Sequence, residues 1–171
     1  MNAGCFGTQF SDVLIDAEVF DLEDGSVSTR PAGGLAMAYR STNLTDRQVV
    51  TSARLRSTPQ PADRGRRRMR EITRQRRLTQ PGGTLNAGSV FKNPPGDAAG
   101  LKGMAIGGAR VSPRHANFFE ATEGASAQDV FDLVAEVRRR VREASGEWLE
   151  PEIRFLGTFD QAPAGDGDGA P

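Results

Sequence analysis

Apolar and polar positions alternate over residues 12–22, with Val13, Ile15, Ala17 and Val19 on one side. A period of two predicts a half-buried strand. Asp24-Gly25 predicts a hairpin turn, and residues 26–29 the returning strand. A segment bearing Gly33 and Gly34 leads to Met37-Ala38-Tyr39-Arg40, and residues 48–56 alternate again, with Val49, Ala53 and Leu55 on one side. Residues 1–57 therefore predict a β-rich lobe with several edges, too little structure to make a comfortable domain alone.

The pattern changes after Thr58-Pro59-Gln60-Pro61, a linker. Residues 63–78 predict a helix, capped by Asp63 and stopped by Pro81-Gly82-Gly83. Residues 104–111 predict a strand, in which Gly107-Gly108 marks a bulge or a close backbone approach. A short apolar run follows at 116–119. Ser126 then predicts a helix start, with Asp129 as its capping-box partner. Val130, Leu133, Val134, Val137 and Val141 fall on one face at helical spacing, and Gly146 ends the helix. Residues 149–156 predict a last strand. From Gly157 the chain decays into Ala, Pro, Gly and Asp, so 158–171 is expected to be a disordered tail. The second lobe is α+β and runs from about 61 to 157, with no internal repeat.

Composition narrows the functional classes. The 171 residues carry 22 basic and 22 acidic side chains, a balance without the sign of a general nucleic-acid binder. Eight arginines crowd the 63–78 helix. They read either as a solvated connecting helix or as a positive field for an anionic substrate, and the lack of interleaved aromatics disfavours nucleic acid. A single cysteine, Cys5, excludes an internal disulfide framework and fits a reducing compartment. No apolar run approaches the roughly 20 residues of a membrane span, and no signal peptide is evident. A cytoplasmic chain without nucleic-acid or membrane partners is expected. Met1-Asn2-Ala3-Gly4-Cys5-Phe6-Gly7 enters a glycine turn at once, which reads like the interior of a longer protein.

The candidate chemistry is sparse. His115 is the only histidine and has no ligand partners at metal spacing, so no metal is expected. Neither glycine pair fits a phosphate loop or a dinucleotide fingerprint. Ser89 sits on a glycine turn with Lys92 and Asn93 close behind, but not in a Gly-x-Ser-x-Gly elbow, which disfavours a hydrolase triad. From its neighbours alone it is either an ordinary loop serine or a hydroxyl able to donate a proton beside two polar heads.

Order and spacing carry more than any single run. Met1-Asn2-Ala3-Gly4, Tyr39-Arg40-Ser41, Arg76-Arg77 to Gln80-Pro81, and Asn86-Ala87-Gly88-Ser89-Val90-Phe91-Lys92-Asn93-Pro94 follow one another. Leu101-Lys102-Gly103, Ile106-Gly107-Gly108, His115-Ala116-Asn117 and Leu149-Glu150-Pro151-Glu152-Ile153-Arg154-Phe155-Leu156-Gly157 complete the series. This series resembles the UDP-N-acetylenolpyruvoylglucosamine reductases, the MurB family, over nearly the whole chain.

The resemblance implies a β-rich remnant of a flavin-binding domain (residues 1–57), a linker and arginine-rich helix (58–80), and a small α+β catalytic domain (81–157). It implies a monomeric oxidoreductase of peptidoglycan synthesis that uses FAD and NADPH to reduce an enolpyruvyl UDP-sugar to UDP-N-acetylmuramate. By position, Ser89 would protonate the enolate left by hydride addition, and Arg40 and Glu152 would stabilise charge at the substrate carboxyl. Tyr39, Lys92, Asn93 and Arg77 would bind substrate, and Asn2, Ala3 and Gly4 the flavin. A fixed guanidinium suits a developing carboxylate-type charge, and a hydroxyl can protonate a strongly basic enolate within hydrogen-bond reach. Two departures are expected to matter. The family's Gly-Gly-Gly-Ser-Asn-type flavin turn lies ahead of the position that Met1 matches. Between Gly100 and Leu101, about one and a half to two helical turns of the family pattern are missing. Incomplete flavin binding is the expectation.

Overall fold

The computed structural model describes residues 1–92, 94 and 99–160. Asn93 and residues 161–171 of the expected tail lie outside these. The chain divides into two compact units, Met1–Ile72 and Thr73–Pro171. Its architecture is α+β.

In the first unit, β1 (Gly4–Cys5) and β2 (Thr8–Gln9) form a small hairpin that the alternation pattern does not predict. Phe6 and Gly7 make its turn at φ 51° and 78°. β3 (Leu14–Asp21) is the central strand of an antiparallel sheet, between β4 (Val27–Pro31) and β5 (Gln48–Leu55). The predicted inward face of β3 is corrected by a bulge. Between the Leu14–Leu55 and Asp16–Arg54 pairs β3 carries one extra residue, so Leu14 is buried while Val13 and Ile15 are exposed. A second irregularity, between Glu18 and Val19, sets Val50 rather than Thr51 opposite Val19. Leu14, Ala17 and Leu35 form the small core, flanked by Met37 and Leu44.

Helix α1 (Ala62–Thr79) contains the division between the units and buries none of its residues. It begins one residue before the expected cap, so Asp63 lies in its first turn instead.

The second unit holds a four-stranded antiparallel sheet in the order β6-β10-β9-β8. Its strands are β6 (Leu85–Ser89), β8 (Ala105–Ile106), β9 (Ala109–Val111) and β10 (Phe118–Ala121), while β7 (Phe91–Lys92) lies outside it. The single strand expected over 104–111 is thus a hairpin, β8 and β9 joined at Gly107-Gly108. Helix α2 (Ala127–Ser145) begins at Ser126, whose hydroxyl accepts from the Asp129 N–H at 3.0 Å, and stops at Gly146, as expected. Leu133, Val134, Val137 and Val141 pack with Val90, Phe91, Val111, Phe119 and Leu149 as one core. The expected strand over 149–156 shrinks to β11 (Glu150–Pro151), paired with β7. Beyond it the chain docks on α2: the Phe131 and Phe159 rings stack at 5.1 Å, and the Asp160 N–H donates to Gln128 Oε1 at 3.0 Å.

Candidate active site

Ser89 is the last residue of β6 and half-buried, not on a free loop. It pairs with Phe118, whereas Asn86 pairs with Glu120, so β6 carries one extra residue against β10. Gly88 absorbs this bulge at φ 83°, a conformation that favours glycine. The Asn86 side chain supports the bend, its Oδ1 accepting from the Gly88 N–H at 3.0 Å and its Nδ2 donating to Thr84 Oγ1 at 2.9 Å. Ser89 therefore stands where the chain leaves one sheet and enters another.

The second pairing brings in Glu152. Lys92 lies opposite Glu150, and Phe91 opposite Pro151. One step on, the Glu152 N–H donates to the Val90 carbonyl at 2.7 Å. Ser89, Lys92 and Glu152 thus belong to one local arrangement, with Glu152 tied to the residue that follows Ser89. Both Lys92 and Glu152 are half-buried, and the Lys92 ammonium pairs with the exposed Glu150 carboxylate.

Buried Asn117 holds the junction. Its main-chain oxygen accepts from the Val90 N–H at 2.9 Å. Its amide bonds Phe91 twice, Oδ1 accepting from the N–H at 2.8 Å and Nδ2 donating to the carbonyl at 2.9 Å. The Asn117 N–H donates in turn to His115 Nδ1 at 3.2 Å. Burial, and next the Lys102 charge, push the His115 pKa below the ordinary histidine value, which favours the neutral ring this bond requires. Sequence reasoning placed Asn117 within a motif without assigning it a task.

The other expected site residues in the first unit are also neighbours. Tyr39 and Arg40 form the turn of a tight hairpin, in which the Ser41 N–H donates to Ala38 O at 3.2 Å and the Ala38 N–H to Ser41 O at 3.1 Å. Arg40 adopts φ 52°, an uncommon conformation for a residue with a Cβ. Its guanidinium lies 4.9 Å from the centroid of the Tyr39 ring. Asn2 forms a parallel bridge with Tyr39, so the expected flavin segment adjoins the Tyr39-Arg40 turn.

That segment's polar groups are spent on the hairpin. Asn2 is buried, its Nδ2 donating to Gln9 Oε1 at 3.0 Å and Ser11 Oγ at 3.2 Å, and its Oδ1 accepting from the Ser11 N–H at 2.9 Å. Ala3 accepts from the Phe10 N–H at 2.8 Å, and Gly4 pairs with Gln9. The Asn2 side-chain amide therefore has no free donor to offer a flavin. Arg77 is exposed on α1, its carbonyl accepting from Arg114 Nη1 at 3.3 Å.

Comparison with known proteins settles the family. The model of the UDP-N-acetylenolpyruvoylglucosamine reductase C-terminal domain matches residues 80–156, which hold Ser89, Asn117 and Glu152. The chain is 43% identical to the reductase of that name from Erythrobacter litoralis, over 92% of this chain and 50% of that protein. It is 45% identical to the one from Gloeobacter violaceus, over 92% and 56%. This chain belongs to the UDP-N-acetylenolpyruvoylglucosamine reductase family. The crystal structure of the MurB reductase from Thermus caldophilus superposes with a TM-score of 0.76 at 37% identity, over 90% of this chain and 57% of that one. The chain thus spans about half the length of the reductases it matches.

Proposed function

We propose that this chain carries the proton-donating site of a UDP-N-acetylenolpyruvoylglucosamine reductase. The activity is NADPH-dependent, FAD-mediated reduction of UDP-N-acetylglucosamine enolpyruvate to UDP-N-acetylmuramate in peptidoglycan synthesis, in the cytoplasm, by a monomer. The chain by itself is impaired in it. The observation that carries the reading is the junction at Val90, which ties Ser89 to Glu152 within the matched domain.

A bound FAD would supply the hydride, with NADPH as the reductant that restores it. The chain's own residues handle the proton and the charge. The Ser89 hydroxyl donates a proton to the substrate enolate carbon, a transfer that requires it within hydrogen-bond reach. Glu152, bridged through a hydrogen-bond donor, stabilises the carboxyl end of the substrate as charge develops there, and Lys92 meets the substrate beside it. Asn93 and Arg77, expected to contact substrate, keep that role by resemblance. So does Arg40, whose guanidinium suits a carboxylate-type charge, together with the neighbouring Tyr39. Residues 2–4, expected to bind the flavin, offer it no free donor in the Asn2 side-chain amide, which is already satisfied. That observation favours a second reading, a UDP-sugar-binding remnant without redox turnover.

Titration of the chain with the enolpyruvyl UDP-sugar, then assay with added FAD and NADPH, tests both. Binding should be measurable, co-eluting flavin substoichiometric, and substrate-dependent NADPH oxidation slow. Loss of that oxidation in Ser89→Ala, at unchanged substrate affinity, supports the proton-donor role. Unchanged turnover removes Ser89 from the chemistry. Binding with no turnover at saturating FAD selects the second reading, and no binding overturns both.

A further inference from the structure

We infer that Asn117 is the positioning residue that fixes the placement of Ser89 and Glu152, an inference that rests on the reading above. Bonded and non-bonded residue pairs alternate along an antiparallel ladder. The Glu152 N–H donates to Val90 O, a bond that flanks the next pair rather than lying within it. The next pair, Phe91 with Pro151, is then non-bonded, and Phe91 turns its N–H and carbonyl away from β11. Phe91 is buried, so both groups need a partner inside the protein. The Asn117 amide supplies a donor and an acceptor in the arrangement of a strand edge, at 2.9 and 2.8 Å.

Asn117 also controls the residue before. Val90 receives Asn117 on its N–H and Glu152 on its carbonyl, so one peptide segment links the asparagine to both proposed catalytic groups. Ser89 in turn pairs with Phe118, the next residue after Asn117. A shift of the 117–118 segment therefore moves Ser89 and Val90 together, and Glu152 with them. The His115 ring, edge-on to Phe118 at 4.7 Å and bonded to the Asn117 N–H, braces that segment. Asn117 itself need not touch substrate.

Three variants of the chain test this. Asn117→Asp keeps the acceptor for the Phe91 N–H and loses the donor, Asn117→Ala loses both, and Val141→Ala perturbs the same core from α2. For each, Tm, amide exchange and affinity for UDP-N-acetylglucosamine enolpyruvate are measured. Exchange at the Glu152 amide should accelerate selectively in both Asn117 variants, and at the Phe91 amide in Asn117→Ala, while Leu133 and Val134 stay protected. Affinity should fall about tenfold or more in Asn117→Ala and less in Asn117→Asp, with Val141→Ala at comparable Tm loss binding as the parent does. Uniform acceleration across the unit, or equal affinity loss in Val141→Ala, overturns the positioning role and leaves Asn117 merely structural. If the parent chain binds no UDP-sugar, the functional reading fails, and the exchange pattern alone decides on Asn117. Should Asn117→Ala not fold, Asn117→Asp carries the comparison.

Discussion

Gly108 fills a space that admits no side chain. A Cβ built there would lie 2.7 Å from both Cα and Cβ of Ala125 and 3.1 Å from Thr122 Oγ1. Its N–H donates to Asp129 Oδ2 at 3.0 Å, and its carbonyl accepts from the Thr122 N–H at 2.9 Å. The same Asp129 oxygen accepts from the Ser126 N–H at 3.0 Å. Bonds from the Ser126 and Gly108 amides, in that order, hold the Asp129 carboxyl below the usual carboxylate range. One carboxylate thus locks the β8–β9 turn to the start of α2. Gly108→Ala should push that turn off the helix and destabilise the second unit by about 1–3 kcal/mol, the usual cost of overpacking. Urea denaturation followed through Trp148 reads this directly, and an unchanged midpoint would show that the turn relaxes freely.

At the scale of elements, α1 is held against its own charge. Arg70 has Arg66 and Arg67 one turn before it and Arg74 one turn after, while only Asp63 and Glu71 supply opposite charge. The ion pairs seen are Arg66–Asp63 at 3.7 Å and Arg68–Glu71 at 2.8 Å, both exposed. Like-charge neighbours at these spacings each cost roughly 0.2–0.5 kcal/mol, and opposite charges return a similar amount. Arg70→Glu should therefore raise helicity in far-ultraviolet circular dichroism at low salt, with the gain fading as added salt screens the charges. A gain that persists in high salt would point to another cause. Both helices were legible in the sequence because caps, stops and the 3.6-residue period are local. The two-residue strands were not. Residues 104–111 read as one strand but fold back at Gly107, φ 51°, into a hairpin, and within 149–156 only Glu150–Pro151 pair, their partner β7 lying far back in the chain. The face of β3 was misread for a related reason, since a bulge inserts a residue that periodicity cannot register. Ser89, Lys92 and Glu152 were legible only through a family motif. The task of Asn117 was not, because its partner lies 26 residues away.

The two units differ most in how much apolar surface each withdraws from water. Among the described residues, ten form the buried cluster of the second unit, and three that of the first. In the first unit, Val27, Val49, Val50 and Leu55 remain exposed on the sheet, and β5 has no buried residue. Since each fully buried aliphatic side chain contributes about 1.5–3 kcal/mol, this asymmetry predicts unequal local stability. The single tyrosine, Tyr39, reports on the first unit, and the single tryptophan, Trp148, on the second. Two guanidinium groups of α2 lie over the Trp148 ring, Arg138 at 4.3 Å and Arg142 at 4.9 Å from its centroid, so unfolding of α2 must change its emission. In urea, the Tyr39 signal should move first and Trp148 later. With slopes of about 1–3 kcal/mol per molar, a stability gap of about 2 kcal/mol separates the midpoints by roughly 1 M. Amide exchange should follow the same order, with β3 to β5 opening before α2 and β9. Coincident transitions by both probes would instead mean that the units unfold as one cooperative body, their stabilities coupled despite separate cores.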